Sequence, residues 1–276
     1  MSIKIIAADL DGTLMSTDHL TVTEHTKNVL LKAHDNGVKF AIATGRPLKL
    51  IENVIEQVPF ADYIIYSNGA CVFDRNKNEI IYSDLIDAET AEKIISHFLA
   101  EPVFFEIYID GKSHYQDGTE KYYDSGELPS EFIAAIMSTM TPHKDLLSFA
   151  KDKPIEKITM YSISDENYPV YSKWLKDLNL SVAESLKSSI EATTSTADKG
   201  NALRGICEEF GIAPEEAMSF GDSGNDCTML RYAGYSFAME NGSDECKAAA
   251  KYQTLSNGND GVAVAVEKYC LKNQDI

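Results

Sequence analysis

Hydrophobic positions fall into short, unbroken runs that end in turn-forming or polar residues. Residues 3–8 are apolar except for Lys4, and they stop at Asp9-Leu10-Asp11-Gly12. Residues 38–43 stop at Thr44-Gly45-Arg46-Pro47, and 63–66 at Ser67-Asn68-Gly69-Ala70. Residues 217–220 stop at Gly221-Asp222-Ser223-Gly224-Asn225-Asp226, and 235–239 is a further run. Such runs predict strands buried on both faces, as in a parallel sheet. Between them the spacing turns helical. Val22, Val29, Leu30 and Ala33 share one face, behind a capping box Thr21-x-x-Glu24 and ahead of a terminating Gly37. Leu203, Ile206, Cys207 and Phe210 repeat the pattern before Gly211. Asn76-Lys77-Asn78 separates two strand-like runs and predicts a hairpin. Helices are also expected through Leu230 and over 243–250, a strand over 252–255, and a closing helix from Gly261. The β-α-β-α-β order with short connections predicts a doubly wound, Rossmann-like α/β core.

The pattern changes near Ser83. A helix is expected over 88–99, then strands over 103–109 and 112–116 about an Asp110-Gly111 turn. A helix over 129–140, a strand over 155–163, a helix over 168–178 and a strand over 180–183 follow. Hairpins mixed with helices predict a separate α+β unit, and its many aromatics, Trp174 among them, read as its core. The α/β pattern returns at Asp198. The expected division is a core of residues 1–83 and 189–276, with residues 84–188 inserted.

The polar residues that end the strands carry the chemistry. Ligands of open α/β sheets bind outside the carboxyl ends of the strands, so these loops are expected to share one crevice. In an extended chain Asp9 and Asp11 project to one side, about 7 Å apart. Two such carboxylates on a buried strand need a cation. Asp222 and Asp226 add further oxygen ligands without His or Cys, a set that suits Mg²⁺. Thr44 and Arg46 stand where a strand meets a helix N-terminus, an anion-binding position. Lys199 opens a helix, where its charge opposes the helix dipole unless an anion lies in front of it; the alternative is a solvated lysine.

Composition narrows the partners. The 276 residues carry a net charge of −18, which argues against nucleic acid and anionic membranes. The same field repels a phosphorylated substrate unless local cations receive it. The five cysteines are odd in number and contain no C-x-x-C pair, as expected for thiols in a reducing cytoplasm. No secretory signal pattern precedes the first strand, and no run is long enough to span a membrane. A cytoplasmic protein is expected.

Taken together, D-x-D-G-T-L at Asp9, T-G-R at Thr44, K-G at Lys199 and G-D-x-x-N-D at Gly221 resemble the four motifs of the haloacid dehalogenase-like hydrolases. Ser67-Asn68-Gly69-Ala70 and Asn259-Asp260-Gly261-Val262-Ala263 resemble the Cof-type branch, subclass IIB, mostly phosphatases of sugar phosphates and related metabolites. Only 32 residues separate Asp11 from Thr44, whereas 152 separate Arg46 from Lys199, room for an inserted cap there. One departure is Met239-Glu240-Asn241-Gly242, where relatives usually carry Gly-Asn-Ala. The resemblance implies Asp9 as the nucleophile that forms an aspartyl-phosphate, and Asp11 as the general acid and then base. It implies Mg²⁺ held by Asp9, the Asp11 carbonyl and Asp222, with Asp226 close behind. Leu10, Gly12, Thr44, Gly45, Asn68, Lys199 and Asn225 would bind the phosphoryl group. A small phosphorylated metabolite is the implied substrate, a monomer or homodimer the implied state, and closure of the cap the implied source of selectivity. A phosphomutase shares these motifs, and a phospho-accepting signalling domain would need neither Asp11 nor a cap.

Overall fold

The computed structural model describes residues 2–123, 137–183 and 188–271. These divide into two units, one of residues up to Arg46, Ile51–Ser83 and Asp198 onward, the other of Pro47–Leu50 and Asp84–Ala197.

The first unit is built on an eight-stranded sheet. Its strands are β1 Ile5–Asp9, β2 Lys39–Ala43, β3 Tyr63–Tyr66, β4 Cys71–Asp74, β5 Glu79–Ser83, β12 Ala217–Gly221, β13 Tyr235–Ala238 and β14 Tyr252–Gln253, in the order β14-β13-β12-β1-β2-β3-β4-β5. Six strands from β14 to β3 are parallel, and β4 and β5 close one edge as an antiparallel hairpin. Every residue of β1 is buried, as its unbroken apolar run requires. Ile5 and Ala7 face Leu203 and Ile206 of helix Lys199–Glu209. Because side chains alternate along a strand, Ile6 and Ala8 face the opposite layer. On that side helix Glu24–Asp35 packs on β2 and on helix Gly261–Val266.

The start of the first helix differs from the expected capping box. Thr23 is the cap, accepting from the Thr26 amide at 3.1 Å. Thr21 instead donates to Asp18 at 2.6 Å, so the local Asx-type turn takes the hydroxyl that the box needs.

The second unit has a six-stranded sheet, with β6 Phe104–Ile109, β7 Lys112–Gln116, β8 Thr141–His143, β9 Lys157–Tyr161, β10 Leu180–Ala183 and β11 Ile190–Thr194 in the order β10-β11-β9-β6-β7-β8. Its apolar face carries Phe105, Ile107, Ile158, Met160, Ile190 and Ala192 against helices Ala88–Leu99, Leu146–Ala150 and Asn167–Asp177. Residues 189–197, assigned to the core from sequence, belong here. Ile190 and Ala192 alternate into this apolar layer, and β11 pairs with β9 and β10. Most of the helix expected over 129–140 lies outside the described residues. On the other face Glu106 accepts from Tyr108 at 2.9 Å and also from Ser113 and Tyr161. All five cysteines are free and buried, and no helix of the described residues is long and apolar enough to cross a membrane.

A histidine pair fastens β8 to β7. His114 Nδ1 and His143 Nε2 lie 2.9 Å apart, and His143 stacks on Phe149. Burial, then His143, pushes His114 down to about 4. An unfolded histidine titrates near 6.5, so between the two values the unfolded chain holds a proton that the native chain lacks. Stability is therefore lost as pH falls through about 6.5, and this contribution levels off near pH 4, with a total of at most about 3 kcal/mol. In urea unfolding across this range, His114→Gln is expected to show a flatter acid decline than the parent. Parallel declines would place the titration elsewhere.

Candidate active site

Strands β12, β1, β2 and β3 are consecutive neighbours and run parallel, so their carboxyl ends line one edge of the sheet. Asp9 is the last residue of β1, Thr44 follows β2, the turn Ser67–Gly69 follows β3, and Asp222 follows β12. The N-terminus of helix Lys199–Glu209 meets them. Gly69, at φ +94°, lets this contact form, because a Cβ there would lie 2.3 Å from the Asp198 carbonyl carbon.

At the centre is a buried ion cluster. Lys199 is fully buried rather than solvated, and its Nζ donates to Asp9 Oδ1 at 2.6 Å and to Asp226 Oδ1 at 2.7 Å. Asp226 Oδ2 accepts from the amides of Asp222 and Ser223, each at 3.0 Å. Both Asp226 oxygens thus have partners, and the residue fixes the Asp222 loop to the lysine. Asp222 Oδ1 accepts from Thr13 Oγ1 at 2.9 Å. Carboxylate oxygens of Asp9, Asp222 and Asp226 lie within 4.8 Å of one another.

Electrostatics show the cluster to be short of positive charge. Burial pushes Asp9 well above the usual carboxylate range; Lys199 opposes this, while Asp226 and Asp222 reinforce it. Burial, then Asp226, pushes Asp222 up to about 6, against the Thr13 hydrogen bond. Burial alone would lower the Lys199 ammonium, but Asp226 and Asp9 outweigh it and hold it above its usual value. Three carboxylates share one ammonium here, so a divalent cation fits, and an all-oxygen donor set suits Mg²⁺. The backbone leaves space beside Asp222: Gly12 has φ +76°, and a Cβ there would sit 2.5 Å from Asp222 Oδ2.

The remaining expected residues surround this cluster. Thr44 is buried and accepts from the Arg46 amide at 3.1 Å. Asn68 adopts a left-handed φ of 58°, and its Oδ1 accepts from Asn225 at 3.0 Å. A Cβ on Gly45 would lie 2.6 Å from that same oxygen. Leu10 points its side chain into the core, leaving only its backbone for a ligand.

Asp11 lies beyond the end of the strand. β1 ends at Asp9 and the chain turns tightly through Leu10–Leu14, so the period of two does not extend to Asp11. Its carboxylate is gripped by Arg46, with Nε to Oδ2 at 2.9 Å and Nη2 to Oδ1 at 2.5 Å. Two residues outside the expected set also shape the site. Thr13 holds Asp222, and Asn241 donates to the Gly12 carbonyl at 2.8 Å while accepting from the Asn257 amide at 3.1 Å. Asn241 lies in the segment that departs from the usual pattern, the one signal that marked it.

Residues 6–266 match the haloacid dehalogenase-like hydrolase family. The chain belongs to that family. The protein YxeH of Bacillus subtilis (strain 168) is 31% identical over 281 residues, covering 97% of this chain and 98% of its own. A 5-amino-6-(5-phospho-D-ribitylamino)uracil phosphatase of the same organism, YcsE, is 28% identical over 271 residues, covering 98% of this chain and 97% of its own. Among solved structures, a subclass IIB sugar phosphatase of the superfamily superposes with a TM-score of 0.79 at 26% identity, covering 96% of this chain and 98% of its own.

Proposed function

We propose that this phosphatase hydrolyses small phosphomonoester metabolites through an aspartyl-phosphate on Asp9, with Mg²⁺ as cofactor. The observation that carries the reading is Asp9 at the end of β1, bound by buried Lys199 and grouped with Asp222 and Asp226. Asp9, Asp222 and the Asp11 carbonyl would hold the cation, with Asp226 behind them. When bound, Mg²⁺ supplies charge neutralisation at the transferring phosphoryl group.

In the first step an Asp9 carboxylate oxygen attacks phosphorus and the bond from phosphorus to the ester oxygen breaks. Protonated Asp11 gives its proton to the departing oxygen, releasing an alcohol. In the second, Asp11 takes a proton from water as the water oxygen attacks phosphorus. The acyl–phosphate bond breaks, and inorganic phosphate leaves. Lys199 fixes the rotamer of Asp9 and offsets its charge. Thr44, Asn68 and Asn225, with the backbone from Leu10 to Gly12 and Gly45, orient the phosphoryl oxygens. The name of the YcsE relative supports a phosphorylated metabolite as substrate, and that of the solved neighbour a sugar phosphate.

Phosphate release from a panel of phosphomonoesters tests the assignment. Chelator-treated protein is expected to fall to background and to recover with added Mg²⁺. Full activity after chelation would remove the cation from the account.

A further inference from the structure

We propose that Arg46 is a positioning residue for Asp11, and so selects for esters whose leaving group needs a proton. This rests on the acid role given to Asp11 above. The guanidinium meets the carboxylate through a two-point fork, Nε to Oδ2 at 2.9 Å and Nη2 to Oδ1 at 2.5 Å, and such a fork fixes a carboxylate's plane as well as its distance. A carboxylate offers about four acceptor sites. The fork takes two, and an edge remains for the transferred proton.

Arg46 is itself held at both ends of its backbone. Its amide donates to Thr44 Oγ1 at 3.1 Å, and its carbonyl accepts from the Ser67 amide at 3.1 Å. The position of Asp11 is thereby tied to the two loops, after β2 and β3, that orient the phosphoryl group. The imidazole beside Asp11, that of His19, stands off at 3.7 Å, beyond hydrogen-bond reach. With its carboxylate turned to Arg46, Asp11 stays out of the oxygen cluster of Asp9, Asp222 and Asp226.

A phosphate-binding arginine and a positioning arginine differ in what their loss does. The test is Arg46→Ala and Arg46→Lys, each assayed as kcat/KM on an alkyl phosphate and on 4-nitrophenyl phosphate, with inhibition by inorganic phosphate in parallel. For the alkyl ester a drop of about 10–100-fold is expected, part of the 10²–10⁴ that general acid catalysis contributes. The nitrophenyl ester, whose leaving group needs no proton, and the phosphate inhibition constant should change less than about fivefold, the limit for a partly exposed charge. Lysine keeps the charge without the fork, so Arg46→Lys should keep the leaving-group bias. In an Asp11→Asn background, Arg46→Ala should add nothing further. Equal losses on both esters with weakened phosphate inhibition would make Arg46 a phosphate ligand and overturn the proposal, as would unchanged rates. If Asp11→Asn itself shows no leaving-group bias, the acid role fails first; if it shows one and Arg46→Ala does not, only the present proposal fails.

Discussion

Asp9→Asn is expected to abolish turnover without unfolding the protein. Asparagine has the same shape and keeps an oxygen for Lys199, which also retains Asp226 at 2.7 Å. It lacks the anionic oxygen that attacks phosphorus. Removal of a covalent nucleophile costs on the order of 10⁶ in kcat, so activity should reach background even with 4-nitrophenyl phosphate. Stability should move the other way. Burial and two neighbouring carboxylates already oppose ionised Asp9, so a neutral residue relieves the site. Thermal melting in the absence of divalent cations should show a midpoint equal to the parent's or higher. A variant with near-parent rates would show that Asp9 is not the nucleophile.

The second large effect concerns Lys199. It is the buried counter-charge to Asp9 and Asp226. Lys199→Met fills similar space and leaves two buried carboxylates uncompensated. Breaking such a pair from one side costs about 3–5 kcal/mol, a large fraction of the stability of a typical domain. Activity should be lost as well, because the Asp9 rotamer and its charge balance both depend on the ammonium. Added Mg²⁺ should recover much of the stability without restoring the rate. Urea unfolding with and without Mg²⁺ separates the two effects. An unchanged midpoint in cation-free buffer would contradict the arrangement.

Asp9, Thr44, Asn68 and Asp222 were legible as candidates because each stands at or just after the end of an apolar run, and strand order in a parallel sheet brings those ends together, whereas Lys199 was marked only by opening a helix. Pairings across the chain were not legible. Thr13 and Asp222 are 209 residues apart, and Asp11 and Arg46 are 35 apart; the turn after β1 that aims Asp11 toward Arg46 has no periodic signal. Gly12 advertised a turn, but only the fold shows that its missing Cβ makes room for Asp222. In the inserted unit, β8 is a three-residue Thr-Pro-His edge strand. It exists through pairing with β7 and the His114–His143 contact, neither of which a local pattern contains. β11 reads Ile-Glu-Ala-Thr-Thr, a half-polar alternation. The boundary drawn from sequence lies just before it, because pairing of this strand with β9 and β10 is not contained in a local pattern. The competing caps Thr21 and Thr23 are identical residues, and Asp18 decides between them.

The central claim is a covalent phosphoryl group on Asp9. Asp11→Asn should slow hydrolysis of the intermediate, so acid quenching of that variant during turnover of 4-nitrophenyl phosphate captures it most directly. Peptide mass spectrometry is then expected to find one phosphoryl group on the peptide containing Asp9, and none when Asp9 is also changed to Asn. Steady turnover with no phosphorylated peptide at any quench time, or the phosphoryl group on another residue, would contradict the account.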